Sequence, residues 1–240
     1  MPFLPRIAVI GISTFLLCAS AILHQANAED LPKPQGSATP TNAALPKFER
    51  LANGDIRLGA VTLHRQTREI SFPAKINLDT GPLDVLIATP VGRLYESLLG
   101  CSVNTLHLQT LLYLLDLKNG PRLPDAKGRQ GDIVDIELEW RNAEGKLIRE
   151  PVEKWICHNT TDEPVKRPGW VFVGSSVANG VFRAEAAGNL AIIYSCDDTV
   201  LDLPDPGAEQ AWTFVVNPEK TKPGKDASVR VILIPRKRQP

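Results

Sequence analysis

Glu96, Ser97 and His107 are the residues whose types and spacing best suit chemistry in this chain. Glu96-Ser97 closes an expected strand over Leu94–Ser97. A short loop follows, and His107 falls in the first turn of the next expected helix. The positive end of a helix disfavours imidazolium, so a neutral His107 could serve there as a base or as a metal ligand. The plainer role is structural. Glu96 and His107 would be spatial neighbours that bond each other or the backbone and close the join between strand and helix, because buried polar groups need partners in any case. A Ser/His/acid hydrolase built elsewhere finds less support. Gly174-Ser175-Ser176-Val177-Ala178 lacks the second glycine of a nucleophile elbow and leads into no helix.

Other combinations are weaker. Cys157-His158, with Asp162 and Glu163 nearby, offers metal-binding residue types. Adjacent strand residues point to opposite faces, so the reading is a buried Cys157 and a strand-end His158. Asp197, Asp198, Asp202, Asp205 and Glu209 form an acidic stretch without calcium-loop spacing, read as a solvated loop. Asn159-Thr160-Thr161 matches a glycosylation sequon. Gly-rich phosphate loops and dinucleotide fingerprints are absent, so no cofactor is expected. Cys101, Cys157 and Cys196 are three cysteines beyond the leader, enough for one disulfide and one free thiol. Cys157 and Cys196 both end expected strands and are the candidate pair.

The compartment is read from the N-terminus. Arg6 precedes the uncharged run IAVIGISTFLLCASAIL, and Ala26 and Ala28 then have the spacing of a signal-peptidase site. Cleavage is expected between Ala28 and Glu29, giving a secreted or periplasmic protein of the cell envelope. Membrane contact would be transient, through the signal peptide alone. Leu17 before Cys18 is too large for a lipoprotein site. Residues 29–46, rich in Pro, Ala and Thr, read as a disordered linker. A single domain is expected over 47–235, with a basic tail at 236–240.

Lys+Arg and Asp+Glu number 27 each. A neutral chain carries no electrostatic footprint for nucleic acid. Hydrophobic content of 43% suits a globular core, and 20 Pro exclude a coiled coil.

These residues must be positioned by a scaffold in which strands outnumber helices. Val134, Ile136, Leu138 and Trp140 alternate with Asp135, Glu137 and Glu139, the pattern of a half-buried strand. Glu144-Gly145 and Asn179-Gly180 are hairpin turns. Leu83–Thr89 is nearly all apolar and reads as a central strand covered on both faces. Further strands are expected over Ile56–Leu63, Glu69–Phe72, Lys75–Leu78, Glu153–Cys157, Val181–Glu185 and Ser228–Ile234, among others. One helix is expected, from Thr105 to Lys118, capped by Asn104 or Thr105. Its leucines surround the axis and predict burial, and Gly120 takes the left-handed position after it. The fold class is therefore α+β and predominantly β. It is a mostly antiparallel sheet, sandwich or barrel-like, with one buried helix near 105–118.

Several segments together resemble the YdjY-like domain of secreted bacterial proteins. They are Gly59–Leu63, Glu69–Ala74, Leu83–Thr89, Gly92–Leu99, Leu106-His107, Trp170–Ser175, Gly188–Ala191 and Trp212 with Asn217. The match spans nearly all of Leu58–Pro235. The resemblance implies an extracytoplasmic domain and no established activity. Some relatives carry an iron–sulfur segment, but this chain has no C-x2-C-x2-C run to hold one. The expectation is a non-catalytic envelope module that binds a protein, glycan or small ligand. The alternative is a metal-dependent or hydrolytic enzyme centred on Glu96, Ser97 and His107.

Overall fold

The computed structural model describes residues 47–220 and 223–236. The expected signal peptide, its Ala28–Glu29 cleavage site, the expected linker and Lys237 onward lie outside the described residues. Arg236 does not belong to a solvated tail, as the sequence suggested. Its guanidinium bonds Asp135 at 2.7 Å and the Pro168 carbonyl at 2.8 Å.

The chain begins with an antiparallel meander of β1 (Glu49–Arg50), β2 (Ile56–Leu58), β3 (Val61–His64) and β4 (Glu69–Ile76). Gly59 at φ +59° turns β2 into β3, which splits the single strand expected over Ile56–Leu63. Strand β5 (Val85–Ala88) is buried along its whole length, as its apolar run predicts. It runs parallel to β6 (Ser97–Gly100). Helix α1 (Thr105–Leu114) follows, with the Asn104 side chain accepting from the His107 backbone N–H as its N-cap. Then come the hairpin β7 (Ile133–Arg141) and β8 (Leu147–Pro151), β9 (Ile156–His158) and β10 (Trp170–Phe172). The Asn179-Gly180 turn joins β11 (Val177–Ala178) to β12 (Val181–Phe182), and helix α2 (Arg183–Ala187) follows directly. The last strands are β13 (Asn189–Ile192), β14 (Leu201–Asp202), β15 (Phe214–Val216) and β16 (Ser228–Pro235).

Eight strands close on themselves in the order β4-β16-β7-β10-β14-β13-β5-β6, and the β4–β6 pairing joins the ends. The domain is thus an α+β fold dominated by a mixed β-barrel sheet. Among the described residues, closure leaves the ring itself without open edges, and the sheet ends only at the outlying strands β1 and β8. Ile70, Phe72, Leu138, Val231 and Leu233 point inward to a continuous core. Each fully buried side chain of this kind contributes about 1.5–3 kcal/mol.

Two long strands hold more neighbours than the barrel needs. One edge of β4 pairs with β3 at residues 69–71 and with β6 at 75–76. Pro73 sits at the changeover, where that edge has no ladder partner, which is how a proline survives inside a strand. One edge of β7 is likewise shared by β10 and β8. The result is a five-stranded platform, β3-β4-β16-β7-β8, whose outer face carries His64, Ser71, Arg230, Glu137, Glu139 and Arg149.

Helix α1 differs from its expected form. It ends at Leu114, and Asp116 at φ +61°, not Gly120, takes the left-handed position. Gly120 is required for space instead: a Cβ there would lie 2.8 Å from the Gly131 backbone N. Leu108, Leu111, Leu112 and Leu115 are buried, but Leu106, Tyr113 and Leu114 are exposed, so the helix is covered on one side only. The strands expected over Leu94–Ser97, Glu153–Cys157 and Val181–Glu185 each contain a helical turn.

Candidate functional site

A hydrogen-bonded chain of Asp55, His64 and Ser71 lies on the outer face of the platform. His64 Nδ1 is 2.8 Å from Asp55 Oδ2, and His64 Nε2 is 2.8 Å from Ser71 Oγ. The local sequence explains how the three meet. Residues 51–55 form a tight turn in which the Leu51 N–H donates to the Asp55 carbonyl at 2.8 Å. Gly54 supplies the positive φ of +86° that this turn requires. The turn swings Asp55 over the meander, and the β3–β4 register pairs Thr62 with Ser71 and Leu63 with Ile70. That register sets His64 diagonally across from Ser71, on the same face.

The carboxylate fixes the tautomer. Asp55 Oδ1 accepts from the Arg65 backbone N–H at 3.1 Å, and Oδ2 accepts from Asn53 Nδ2 at 2.9 Å. The His64 bond, foremost, holds the Asp55 carboxyl below its ordinary value, and the other donors add to that. An ionised carboxylate only accepts, so Nδ1 carries the proton. In the neutral ring, Nε2 then presents its lone pair to the Ser71 hydroxyl. This is the geometry of a nucleophile, a base and an orienting acid.

The chain lies where two lobes of a groove meet. One lobe, of about 310 Å³, is polar and extends past Gln66, Thr67 and Glu69 to Arg149. The other, of about 890 Å³, extends past Leu51, Trp140 and Leu147. Asn53, Asp55, His64, Ser71, Glu139 and Arg230 line both. Asp55 and Ser71 are each 6% exposed, so only their groove side meets solvent. Arg149 is held by Glu69 at 2.8 Å and by Glu137. Arg230 is freer, 60% exposed with Glu139 at 4.0 Å. Ser71 pairs with Thr62 on one side and Ile232 on the other, so any anion forming above it must be met by side chains.

Glu96, Ser97 and His107 are not assembled into one site. Glu96 ion-pairs with Arg93, and Ser97 Oγ donates to the Arg93 carbonyl at 2.6 Å. Burial pushes the Glu96 carboxyl up, Arg93 opposes this, and Asp84 adds to it. His107 packs instead against Gly59, where a Cβ would lie 2.6 Å from its Nδ1. Burial pushes its imidazole down, and Glu185 pulls it back. Glu185, not Glu96, is therefore the carboxylate at the start of α1, where it also accepts from the Thr105 N–H and hydroxyl at 2.6 Å.

The Cys157–Cys196 pair is not formed. All three described cysteines are free. Cys157 is buried in β9, within reach of the Val215 carbonyl on β15, whereas Cys196 Sγ accepts from Arg93 at 3.3 Å. Cys157 is the middle residue of β9, in the small β9–β15 sheet, whereas Cys196 lies in the bend that follows β13 and belongs to no strand. His158 packs on Phe214, with ring centroids 4.8 Å apart. Among the described residues, no cluster of three or more His, Cys, Asp or Glu side chains is arranged to hold a metal ion. No helix among them is long and apolar enough to cross a membrane.

Sequence reasoning missed Asp55, His64 and Ser71 because no fixed spacing marks them. The available signal was the meander itself. Writing out its register brings the histidine and the serine together. No protein-family model, curated protein or solved structure matches the chain.

Proposed function

We propose that this chain is an extracytoplasmic binding domain that seats a small polar ligand, rich in hydroxyl or amide groups, in the groove over Ser71. The observation that carries this reading is the lining. Asn53, His64, Ser71 and Thr67 supply mixed donors and acceptors, and Glu139 and Arg230 stand opposite in charge across the shared floor. Such a set pairs hydroxyls and amides in either sense and leaves no net charge to match. The rigid ladder beneath holds the groups in place, as a ligand site on strands requires. The signal-peptide pattern of residues 1–28 and the resemblance to the YdjY-like domain support an envelope address, with a glycan or another small envelope ligand as occupant.

A fragment screen by protein-observed NMR on residues 47–240 tests this reading. Hits should cluster on the amides of Asp55, His64, Ser71 and Arg230 and be lost in Arg230→Glu. Hits that cluster elsewhere, or a screen without hits in the groove, would refute it.

A further inference from the structure

We infer that the groove is also a reaction site, with Ser71 as the nucleophile of an acyl transfer and His64 as its base. The substrate class is a carboxylic ester of a polar alcohol. This rests on the groove being a ligand site and adds chemistry to it.

The geometry meets the requirements in turn. Ser71 Oγ lies 2.8 Å from His64 Nε2, within range for direct proton transfer. Asp55 Oδ2, 2.8 Å from Nδ1, keeps the neutral ring's own proton on Nδ1, leaves Nε2 free to take the Ser71 proton, and stabilises the imidazolium formed in the reaction. Asp55 is held by Asn53 and the Arg65 N–H, so the ring orientation is set before any substrate arrives. The three residues come from the β1–β2 turn, β3 and β4, on a rigid platform. A purely structural tether would not need to stand at the junction of two lobes, yet all three residues line both.

The two lobes suggest how an ester would lie. The larger one has apolar surface from Leu51, Pro73 and Leu147 and suits the acyl group. The smaller one has Gln66, Thr67 and Glu69 and suits a hydroxylated alcohol. The ester carbon would then sit over Ser71. In the first step the Oγ–carbon bond forms and the Ser71 proton passes to His64 Nε2. The carbon–oxygen bond to the alcohol then breaks, and the alkoxide leaves with that proton. In the second step water attacks the acyl-serine and gives its proton to His64. The carboxylic acid departs and Ser71 recovers its hydroxyl. Arg230, exposed, only loosely paired and lining both lobes, is the cation free to turn toward the oxyanion.

A fluorophosphonate reagent tests the assignment without knowledge of the natural ester. Serine attack forms an oxygen–phosphorus bond and expels fluoride, and the Ser71 proton passes to His64. Intact mass and peptide mapping of the wild-type chain should find one adduct, on Ser71. His64→Gln should slow its formation by at least about 100-fold, the usual contribution of a positioned base. Asp55→Asn should slow the step at saturating reagent without changing the half-saturating concentration, because Asp55 acts through His64. Mapping on the wild-type chain identifies the serine even if Ser71→Ala fails to fold. No adduct on Ser71, or an unchanged rate in folded His64→Gln, would overturn the proposal. Fragments that bind the groove while Ser71 stays unlabelled would defeat the catalysis alone. Their failure to bind as well would defeat the binding reading.

Discussion

Asp55 Oδ2 lies 2.8 Å from His64 Nδ1, and this bond ties the β1–β2 turn to the sheet it covers. The folded carboxyl is held below its ordinary value of 3.8. Such a group adds stability that is present above 3.8 and is lost as pH falls through the folded value. Asp55→Ala should therefore lower the thermal midpoint at pH 7, and the gap from wild type should close as melts are taken below about pH 3.8. A gap that stays constant with pH would show that the charge is not involved.

Asp202 behaves in the opposite sense. It is buried in β14 with Ser195 Oγ donating at 2.7 Å, and burial pushes its carboxyl up to about 6. The folded state then binds more protons than the unfolded chain between about pH 4 and 6, so stability falls as pH rises through that window. The loss is of order 3 kcal/mol. Asp202→Asn can still accept from Ser195 and should melt higher than wild type at pH 7 and alike at pH 4. Equal midpoints at pH 7 would contradict this.

Gly188 and Gly92 touch backbone to backbone. A Cβ on Gly188, at φ +73°, would lie 2.3 Å from the Gly92 N. The contact aligns the Thr89 N–H with the Gly188 carbonyl at 2.8 Å and so fixes the loop that carries Arg93. Gly188→Ala should cost roughly 2–5 kcal/mol from overpacking and left-handed strain together. Gly54 also has positive φ but meets nothing within 4 Å, so Gly54→Ala should cost only about 1–2 kcal/mol. Urea titrations of the two variants measure the difference.

Thiol reactivity separates the cysteines. Burial pushes the Cys101 thiol up to about 11, and Cys157 is fully buried, whereas Cys196 is exposed. Folded protein from Lys47 onward should react rapidly at Cys196 alone. Unfolding without reductant should release all three thiols. Only one thiol after unfolding would reveal a disulfide.

The strands were legible where burial is one-sided or complete. Val134 to Trp140 alternate because only one face meets the core, and Val85 to Ala88 do not because both faces are covered. Asn104 and Asn179-Gly180 act through local hydrogen bonds and dihedrals, so cap and turn could be read directly. Barrel closure could not, because it depends on Lys75 and Ile76 meeting Gly100 and Leu99 across a change of partner on β4. Helix α2 was hidden because Arg183–Ala187 is a single turn, shorter than any hydrophobic period. Leu106 and Leu114 looked like core residues, since apolar content alone does not say which side of a helix is packed. The Asp55–His64–Ser71 chain escaped for the same reason as the barrel: it is a product of strand register.

The central claim is that His64 offers an unprotonated Nε2 to the Ser71 hydroxyl, and nitrogen-15 NMR of the imidazole tests it most directly. At pH 8, His64 should show a protonated Nδ1, with a strongly deshielded proton that vanishes in Asp55→Ala, and an Nε2 shift typical of a bare ring nitrogen. A protonated Nε2 donating to Ser71 would contradict the account, because that serine would have no base.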